Sequence, residues 1–326
     1  MKLPHRRKFL HLAAGAAALP AVSRVAKAQA YPSRPVRIIV GFAAGGPADL
    51  VARLIAQRLS ERLGQPFVVE NRTGAATNIA TEAVVRAAPD GYMLLFVTAT
   101  NAINTTVYEK LSFNLSGDIA PLASLIRAPS VLEVNPSVPA KTVPEFIAYA
   151  KANPGKLTMA SSGIGTPSHV FGELFKVMTG VNLMHVPYRG AAPAASDLLA
   201  GQVQVFFDPM ANSIAYIKAG KVRALAITSA KRSEALPDVP TVSEFVPGYE
   251  ASFWFGVGAP KATPADIVDK LNKEVNAALD DPKMKARLAD LGGTVLLGSP
   301  ADFGKHIAEE TEKWAKVIRA ANIKPE

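Results

Sequence analysis

Two glycine-rich loops have the composition of anion-binding sites. The first covers residues 41–49 (GFAAGGPAD), and the second covers residues 161–169 (SSGIGTPSH). Each follows an apolar run that predicts a buried strand and precedes the predicted start of a helix. Backbone N–H groups at a helix N-terminus have no partner within the helix, and the helix dipole favours negative charge there. Because small residues also let the backbone approach a ligand closely, the two loops indicate binding of an anion by main-chain donors.

Neither loop matches a nucleotide-binding motif. The first lacks the Gly-Lys-Ser/Thr of a P-loop, and the second has Ser168 where the dinucleotide fingerprint needs a third glycine. One such loop on its own is typical of an ordinary strand–helix connection, whereas two of them in one chain favour a ligand site. Residues 98–101 (TATN) follow a third predicted strand and add hydroxyl and amide groups at the same sheet edge.

The residue types for a hydrolase are present, but their arrangement is not typical of one. Ser161 or Ser168, His169 and Asp208 would supply a nucleophile, a base and an acid. No Gly-x-Ser-x-Gly elbow occurs, and the adjacent Ser168 and His169 point in different directions on a helix. We therefore predict that the protein is not an enzyme, with a secreted Ser/His/Asp hydrolase as the alternative.

The composition excludes several other classes of site. The chain has 326 residues and no cysteine, so it has no thiolate metal site, iron–sulfur cluster or cysteine nucleophile. It has no His-x-x-x-His or His-Glu-x-x-His spacing, and we predict no metal and no cofactor. Residues 1–30 hold six of the 36 Lys and Arg and none of the 27 acids, which leaves 30 bases against 27 acids. That weakly basic remainder argues against nucleic-acid binding.

The first thirty residues have the pattern of an export signal. Paired arginines lie in the basic run at 6–10 (RRKFL), and an alanine-rich apolar stretch covers residues 12–22. The sequence AQA ends at Ala30 and resembles a cleavage site, and Lys27 just before it disfavours the general secretory route. We predict a twin-arginine signal, with an ordinary secretory peptide as the alternative. The mature protein would then begin at Tyr31 and lie in the periplasm, with no cysteine at the cut to carry a lipid anchor.

Strand and helix patterns alternate along the rest of the chain. Apolar runs predict strands over residues 36–40, 67–70, 92–98, 131–134, 157–160, 183–186, 203–207, 224–228 and 253–257. Helical spacing and capping residues predict helices over residues 48–63, up to about 88, and over 142–152, 166–179, 193–200 and 213–219, with two more starting near 264 and 300. Continuous apolar strands joined by helices are typical of an α/β fold whose parallel sheets are covered on both faces.

Seven short motifs in a fixed order resemble one known family. They are FAAGG at 42–46 with Asp49, PDGY at 89–92, GxGTxxH at 163–169, VPYRG at 186–190, DLLxG at 197–201, FD at 207–208 and DVPT at 238–241. Together they resemble the periplasmic substrate-binding receptors of tripartite tricarboxylate transporters, the Bug family. The resemblance extends from about Pro32 to the C-terminus.

The resemblance implies a type II periplasmic-binding-protein, or Venus flytrap, fold. Lobe 1 would comprise residues 31–127 and 250–326, and lobe 2 residues 128–249, each lobe a sheet flanked by helices. A ligand cleft would lie between the lobes and close by a hinge motion. Members take up small organic carboxylates through main-chain donors and ordered water, and deliver them to a membrane permease. We expect a monomer; a ligand sensor that feeds a signalling partner would use the same cleft and is a further alternative.

The candidate ligand-binding residues lie in the loops and motifs described above. They are Phe42, Ala44, Gly45, Gly46, Asp49, Thr98, Thr100, Asn101, Ser161, Ser162, Gly165, Thr166, His169, Tyr188, Arg189 and Asp208. Two departures from the family pattern, Ala43 in place of proline and Pro209-Met210 after Asp208, leave the identity of the ligand open.

Several candidates also have purely structural interpretations. Asp49 could be a helix-start acid favoured by the dipole, and Thr166 could be only an N-cap. His169 could be a structural histidine. Arg189 could pair with a ligand carboxylate or lie on the surface, and Asp208 could hold loops together rather than meet an anion.

Overall fold

A computed structural model describes residues 31–325 of the chain. The predicted export signal in residues 1–30 lies outside the described residues. From Arg34 onward the described chain is one compact unit. None of its helices is both long enough and apolar enough to cross a membrane.

Strands and helices alternate through the first half of the described chain. They are β1 (Val36–Val40), α1 (Pro47–Leu63), β2 (Phe67–Asn71), α2 (Asn78–Val85), β3 (Met93–Thr98), α3 (Ala99–Val107), α4 (Leu115–Asp118), β4 (Ile119–Val134), α5 (Val143–Ala152) and β5 (Thr158–Ser161).

The second half continues the alternation and ends in helices. Its elements are α6 (Pro167–Thr179), β6 (Met184–Pro187), α7 (Ala191–Leu199), β7 (Val205–Pro209), α8 (Met210–Lys218), β8 (Arg223–Ile227), β9 (Ser252–Pro260), α9 (Ala265–Asp280), α10 (Pro282–Asp290), β10 (Thr294–Val295) and α11 (Pro300–Ala320).

The strands of residues 31–325 are connected in the order β2-β1-β3-β9-β4-β7-β5-β6, with β8 and β10 also paired to β4. β1 pairs in parallel with β2 and β3, and β5 pairs in parallel with β6 and β7. β4 and β9 are antiparallel to their neighbours. The predicted parallel pairing is therefore confirmed within each group of three strands, and two antiparallel strands join the groups.

The long strand β4 belongs to both groups of strands. Its first part, up to Pro129, pairs with β9, and its last part, from Ser130, pairs with β7 and β8. The sequence predicted only residues 131–134 of it. Pro121 and Pro129 interrupt the apolar pattern and have no N–H to donate, and the register shifts at Pro121. A search for regular alternation of apolar and polar residues therefore does not detect this strand.

Helix ends follow the expected local chemistry in most places. α1 has Pro47 in its first turn and stops at Gly64, whose φ of 69° allows the left-handed cap. The sequence patterns do not predict α3, which follows directly on β3. Thr98 is the N-cap of α3, and the side chain of Asn101 accepts a hydrogen bond from the backbone N–H of Thr98.

The C-terminal helix α11 contributes to the cores beneath both groups of strands. Phe303 and Ile307 pack with Leu95 and Val97 under the first group. Trp314 and Val317, further along α11, pack in the other core, which contains Phe171 and Phe175 of α6 and Phe207 of β7. A methyl group on Gly256 of β9 would collide with the ring of Phe303, so this strand passes as close to the helix as glycine permits.

Candidate ligand-binding site

Four strand ends bring the predicted site residues to two clusters. β1 and β3 are parallel neighbours, so the loop after Val40 and the residues around Thr98 lie at the same edge. β5 and β7 are likewise parallel neighbours, which places Ser161 and Asp208 at one edge of the second group. Crevices beyond the carboxyl ends of parallel strands are where open α/β folds bind ligands.

Asp49 shapes the first glycine loop. The side chain is 2% exposed, and its Oδ2 accepts hydrogen bonds of 2.9 Å from the backbone N–H of Gly45 and from Nε of Arg53. Oδ1 accepts a further one from Nδ2 of Asn71. Burial alone would raise the pKa of this carboxyl, but the hydrogen bonds from Arg53, Gly45 and Asn71 outweigh it and hold the pKa below its usual value. The carboxylate therefore fixes the loop that carries Gly45.

Asn71 is a residue that the sequence interpretation missed. Its Nδ2 group donates to the carbonyl oxygen of Phe42 as well as to Asp49, at 2.9 Å in each case. Asn71 ends β2 directly opposite Val40 of β1. The only sequence signal was an amide at the end of a strand, because the pairing that brings it to the loop is a tertiary contact.

The segment after β2 has an unusual backbone and also escaped prediction. Ala75, Ala76 and Thr77 have φ values of 43°, 49° and 78°, a left-handed region that side chains with a Cβ rarely adopt. Nδ2 of Asn104 donates to the carbonyl oxygen of Ala76. A Cβ on Gly41 would lie 2.5 Å from that of Thr77, so this segment abuts the first glycine loop. Strain of this kind is often stored at functional sites.

Asn101 braces the start of α3. Its Oδ1 accepts from the backbone N–H and the hydroxyl of Thr98, and its Nδ2 donates to the hydroxyls of Thr77 and Thr81. The amide is 3% exposed, and Thr100 beside it is also buried. Asn101 holds the polar edge together, and direct contact of Asn101 or Thr100 with a ligand stays a prediction.

Short polar contacts define the second glycine loop. Thr166 is the N-cap of α6, and its hydroxyl donates to the carbonyl oxygen of Gly163 at 2.7 Å. The hydroxyl of Ser168 accepts from the backbone N–H of Ser162. Pro167 begins the helix, where a missing N–H costs nothing. The loop is thus closed by its own side chains, and Ser162 and Thr166 lie where the sequence placed them.

His169 faces inward, on the same side as His185 of β6. The two rings stack with centroids 3.7 Å apart and an interplanar angle of 7°. Nδ1 of His169 accepts the backbone N–H of Gly165 at 3.1 Å. Gly165 has φ of 71°, and a Cβ there would lie 3.3 Å from the methyl groups of Val107 in α3. The second loop therefore rests against an element that follows β3.

A cavity of about 310 Å³ opens beside this contact. It is lined by Tyr108, Gly163, Ile164, Pro187, Tyr188, Arg189 and Pro325. The hydroxyl of Tyr188 donates to Oδ2 of Asp197 at 2.6 Å; burial and this acceptor raise the pKa of the phenol to about 12. Arg189 is exposed and forms no ion pair with the residues that the structure describes, and it contributes positive charge to the cavity wall.

Asp208 lies under α8, next to a second buried acid. Its oxygens accept from the side chains of Ser213 and Asn212, and it is 1% exposed. Burial raises its pKa to about 7. Burial and the charge of Asp208 also raise the pKa of Glu133 on the neighbouring strand β4 well above its usual value. The raised pKa values favour a proton shared by the two carboxyls, and contact of Asp208 with a ligand stays a prediction.

The serine, histidine and aspartate considered for a hydrolase are not assembled as one set. Oγ of Ser161 lies 2.6 Å from Nε2 of His185, a histidine that the sequence interpretation did not select. Nδ1 of His169 holds Gly165, and Asp208 bonds to α8.

The sheet order and the loops at its strand ends define a class of protein, the type II periplasmic binding proteins. Residues 51–323 match the model of the tripartite tricarboxylate transporter family receptor, and the chain belongs to that family. Its members are substrate-binding receptors and not enzymes, which confirms both the resemblance and the prediction of a protein without catalytic activity.

Three relatives show how far the similarity extends. The chain is 37% identical to protein BugT of Bordetella pertussis over 300 residues, which are 91% of this chain and 92% of BugT. A structure from R. palustris with adipate is 40% identical, with a TM-score of 0.83, and covers 91% of this chain and 100% of that one. MatC from Rhodopseudomonas palustris with bound malate is 35% identical, with a TM-score of 0.79, and covers 88% and 100%.

Proposed function

We propose that this protein captures a small organic carboxylate in a cleft and delivers it to a membrane permease of the tripartite tricarboxylate type. The observation that carries the proposal is the pair of glycine loops, 41–46 and 162–166, each ending in a helix N-terminus at the carboxyl edge of its strands. The positive end of a helix dipole suits a carboxylate. Two relatives solved with adipate and with malate support the ligand class.

The charge near the second loop agrees with this ligand class. None of the described residues that line the cavity of about 310 Å³ is acidic, and Arg189 contributes positive charge to its wall. The carboxylate of Asp49, the acid in the first loop, already accepts hydrogen bonds from Gly45, Arg53 and Asn71. An anion entering the site therefore meets donors and a guanidinium rather than an unpaired carboxylate.

The proposed lobes comprise residues 31–127 with 250–326, and residues 128–249. In support, β4 exchanges β9 for β7 as its partner between Pro129 and Ser130, close to the proposed boundary. A second crossing point lies at Ser252, where β9 begins. Bending at these two strands would close the lobes over a ligand, which is the usual hinge motion of binding proteins.

We further propose export by a twin-arginine signal, cleavage after Ala30 and a monomeric periplasmic product. The test compares wild type with a variant carrying Arg6→Lys and Arg7→Lys in cells with and without the twin-arginine translocase. Periplasmic protein should disappear both in the variant and in the deleted strain. Export that persists in the deleted strain would favour the general secretory route.

A thermal-shift screen of the purified protein tests ligand capture. The panel comprises citrate, C4 dicarboxylates, adipate, acidic amino acids and aromatic mono- and dicarboxylates. A ligand at about 100 times its dissociation constant should add about 2.7 kcal/mol to the free energy of unfolding, which raises Tm by several degrees. The matching amides are the control, since they have the same shape without the charge. A folded protein whose Tm no acid raises would contradict the proposal.

A further inference from the structure

The conformation of the second glycine loop depends on an unprotonated histidine nitrogen. The backbone N–H of Gly165 donates to Nδ1 of His169 over 3.1 Å. A ring nitrogen can accept this bond only while it carries no proton. His169 is 5% exposed, so water cannot readily replace either partner. A proton on Nδ1 would place two donors face to face and push the N–H of Gly165 away.

The second histidine ties the same ring to the other end of the loop. His185 stacks on His169 at 3.7 Å, and its Nε2 lies 2.6 Å from the hydroxyl oxygen of Ser161. That oxygen also accepts the backbone N–H of Gly163 at 3.2 Å. Two stacked rings therefore connect Ser161 at the end of β5 with Gly165 in the loop before α6.

We propose that His169 and His185 are positioning residues that hold loop 162–166 in its ligand-binding conformation while both rings are neutral, so that proton uptake by the pair weakens ligand binding. The proposal deepens the proposed function and rests on it, because it concerns regulation of the same site. Neither histidine needs to touch the ligand, since each acts through the backbone of the loop.

The other charged groups at the pair make the pair sensitive to pH rather than permanently charged. On α6, Glu173 faces Nε2 of His169 at 3.6 Å, and Lys176 neutralises that carboxylate at 2.7 Å. β5 contributes only the hydroxyl of Ser161. Burial, and next the positive charge that His169 can carry, lower the pKa of His185 to about 3. Two charged rings stacked 3.7 Å apart would repel each other, so a proton on one ring opposes a proton on the other.

The central variant is His169→Asn, because the oxygen of asparagine takes the place of Nδ1 and cannot be protonated. With adipate as the probe, wild-type affinity should fall by about tenfold between about pH 7.5 and about pH 5, the size expected for the loss of one buried hydrogen bond. His169→Asn should retain most of the affinity at the higher pH and lose most of this pH dependence. Since adipate ionises identically in both experiments, the difference between the profiles belongs to the protein.

Two further variants separate positioning from folding. His169→Leu removes the acceptor and should bind about tenfold more weakly already at the higher pH. His306→Asn, at a histidine of α11 that packs against Trp254, should leave the pH profile unchanged. A wild type that binds with a flat profile, or a His169→Asn variant with the wild-type profile, would overturn the inference and leave the proposed function intact.

A ligand-independent measurement keeps the inference testable if no acid binds. The ¹⁵N shifts of the His169 ring at about pH 7.5 should show the proton on Nε2 and an acceptor at Nδ1. Lowering the pH should broaden or shift the amide signal of Gly165 together with the ring. A proton on Nδ1 at the higher pH would overturn the inference, whereas failure of every acid to bind would contradict only the receptor role.

Discussion

Trp254 and Trp314 donate their indole N–H groups to the same oxygen, Oε2 of Glu310, over 3.0 and 2.9 Å. Trp254 lies on β9 and Trp314 on α11, and they are the two tryptophans of the chain. Each ring packs in a different one of the two hydrophobic cores. Glu310 therefore links β9, which lies between the two groups of strands, to α11, which packs against both groups.

Replacing Glu310 by alanine should cost a large part of the protein's stability. The change leaves two buried indole donors without an acceptor, and each unsatisfied donor costs about 1–3 kcal/mol, so a loss of roughly 2–6 kcal/mol is expected. Urea unfolding followed by circular dichroism measures it. The control is Glu309→Ala, one residue away. Glu309 is exposed and forms only a long ion pair of 3.8 Å with Lys305, so this variant should change the stability little. Equal losses in both variants would show that the shared oxygen is unimportant.

The buried pair Glu133 and Asp208 should make stability fall as the pH rises. Both pKa values are raised in the folded protein, that of Asp208 to about 7, so the folded state binds the shared proton more tightly than the unfolded chain. The stability they contribute is complete below the pKa of the unfolded carboxyls, near 4, and is lost as the pH rises towards about 7.

Glu133→Gln should therefore stabilise the protein at about pH 8 by on the order of a few kcal/mol and have a small effect at about pH 5. Oε2 of Glu133 has no hydrogen-bond partner among the described residues, so an amide loses no existing hydrogen bond there. Tm measured across this range decides the matter, with the exposed Glu234→Gln as control. A variant less stable than wild type at both pH values would contradict the shared proton.

Gly165→Ala should weaken ligand binding more than it weakens the fold. Alanine at φ of 71° costs about 1–2 kcal/mol, and its methyl group would press on Val107 at 3.3 Å. Gly180→Ala is a matched control, since Gly180 has the same φ of 71° but no atom within 4 Å of the new Cβ. Both variants should lose similar stability, and only Gly165→Ala should lose affinity, by about tenfold. Equal affinities would remove the second loop from the site.

Asp49→Ala should loosen the first loop and reduce affinity. The change releases the N–H of Gly45 and leaves Asn71 holding only Phe42, so about tenfold weaker binding and a loss of roughly 1–3 kcal/mol in stability are expected. Glu61→Ala on the same helix removes an exposed ion pair with Arg58 and an exposed hydrogen bond from Gln57, and should change neither quantity. Calorimetric titration of both variants provides the comparison. If stability falls while affinity stays constant, Asp49 serves the fold alone.

Local signals in the sequence were sufficient for most helix boundaries and for the class of the protein. Gly64 and the proline at position 47 mark the ends of α1, and the motifs around Gly45 and Gly165 identify the two loops, because turn and capping chemistry is written in neighbouring residues. Most of β4 was not predicted, because its prolines interrupt the apolar pattern and its partner strands lie more than 70 residues away in the sequence.

The supporting contacts of the site could not be read from the sequence. His185 reaches His169 only because β6 pairs with β5, and Asn71 reaches Phe42 only because β2 pairs with β1. The left-handed run at Ala75 and Ala76 contradicts local preference and exists only because tertiary contacts impose it. Such residues do not stand out by type or spacing, and they can be recognised as supporting residues only when the pairing of the strands is known.

Isothermal titration calorimetry of the purified wild-type protein tests the central claim, that the cleft binds a carboxylate. Citrate, malate, adipate and an aromatic dicarboxylate are titrated in turn at neutral pH, each beside its amide. The structure predicts saturable binding of at least one acid, with one ligand per chain and no binding of the matching amide. A protein that is folded by circular dichroism yet binds none of the acids, or binds acid and amide equally well, would contradict the claim.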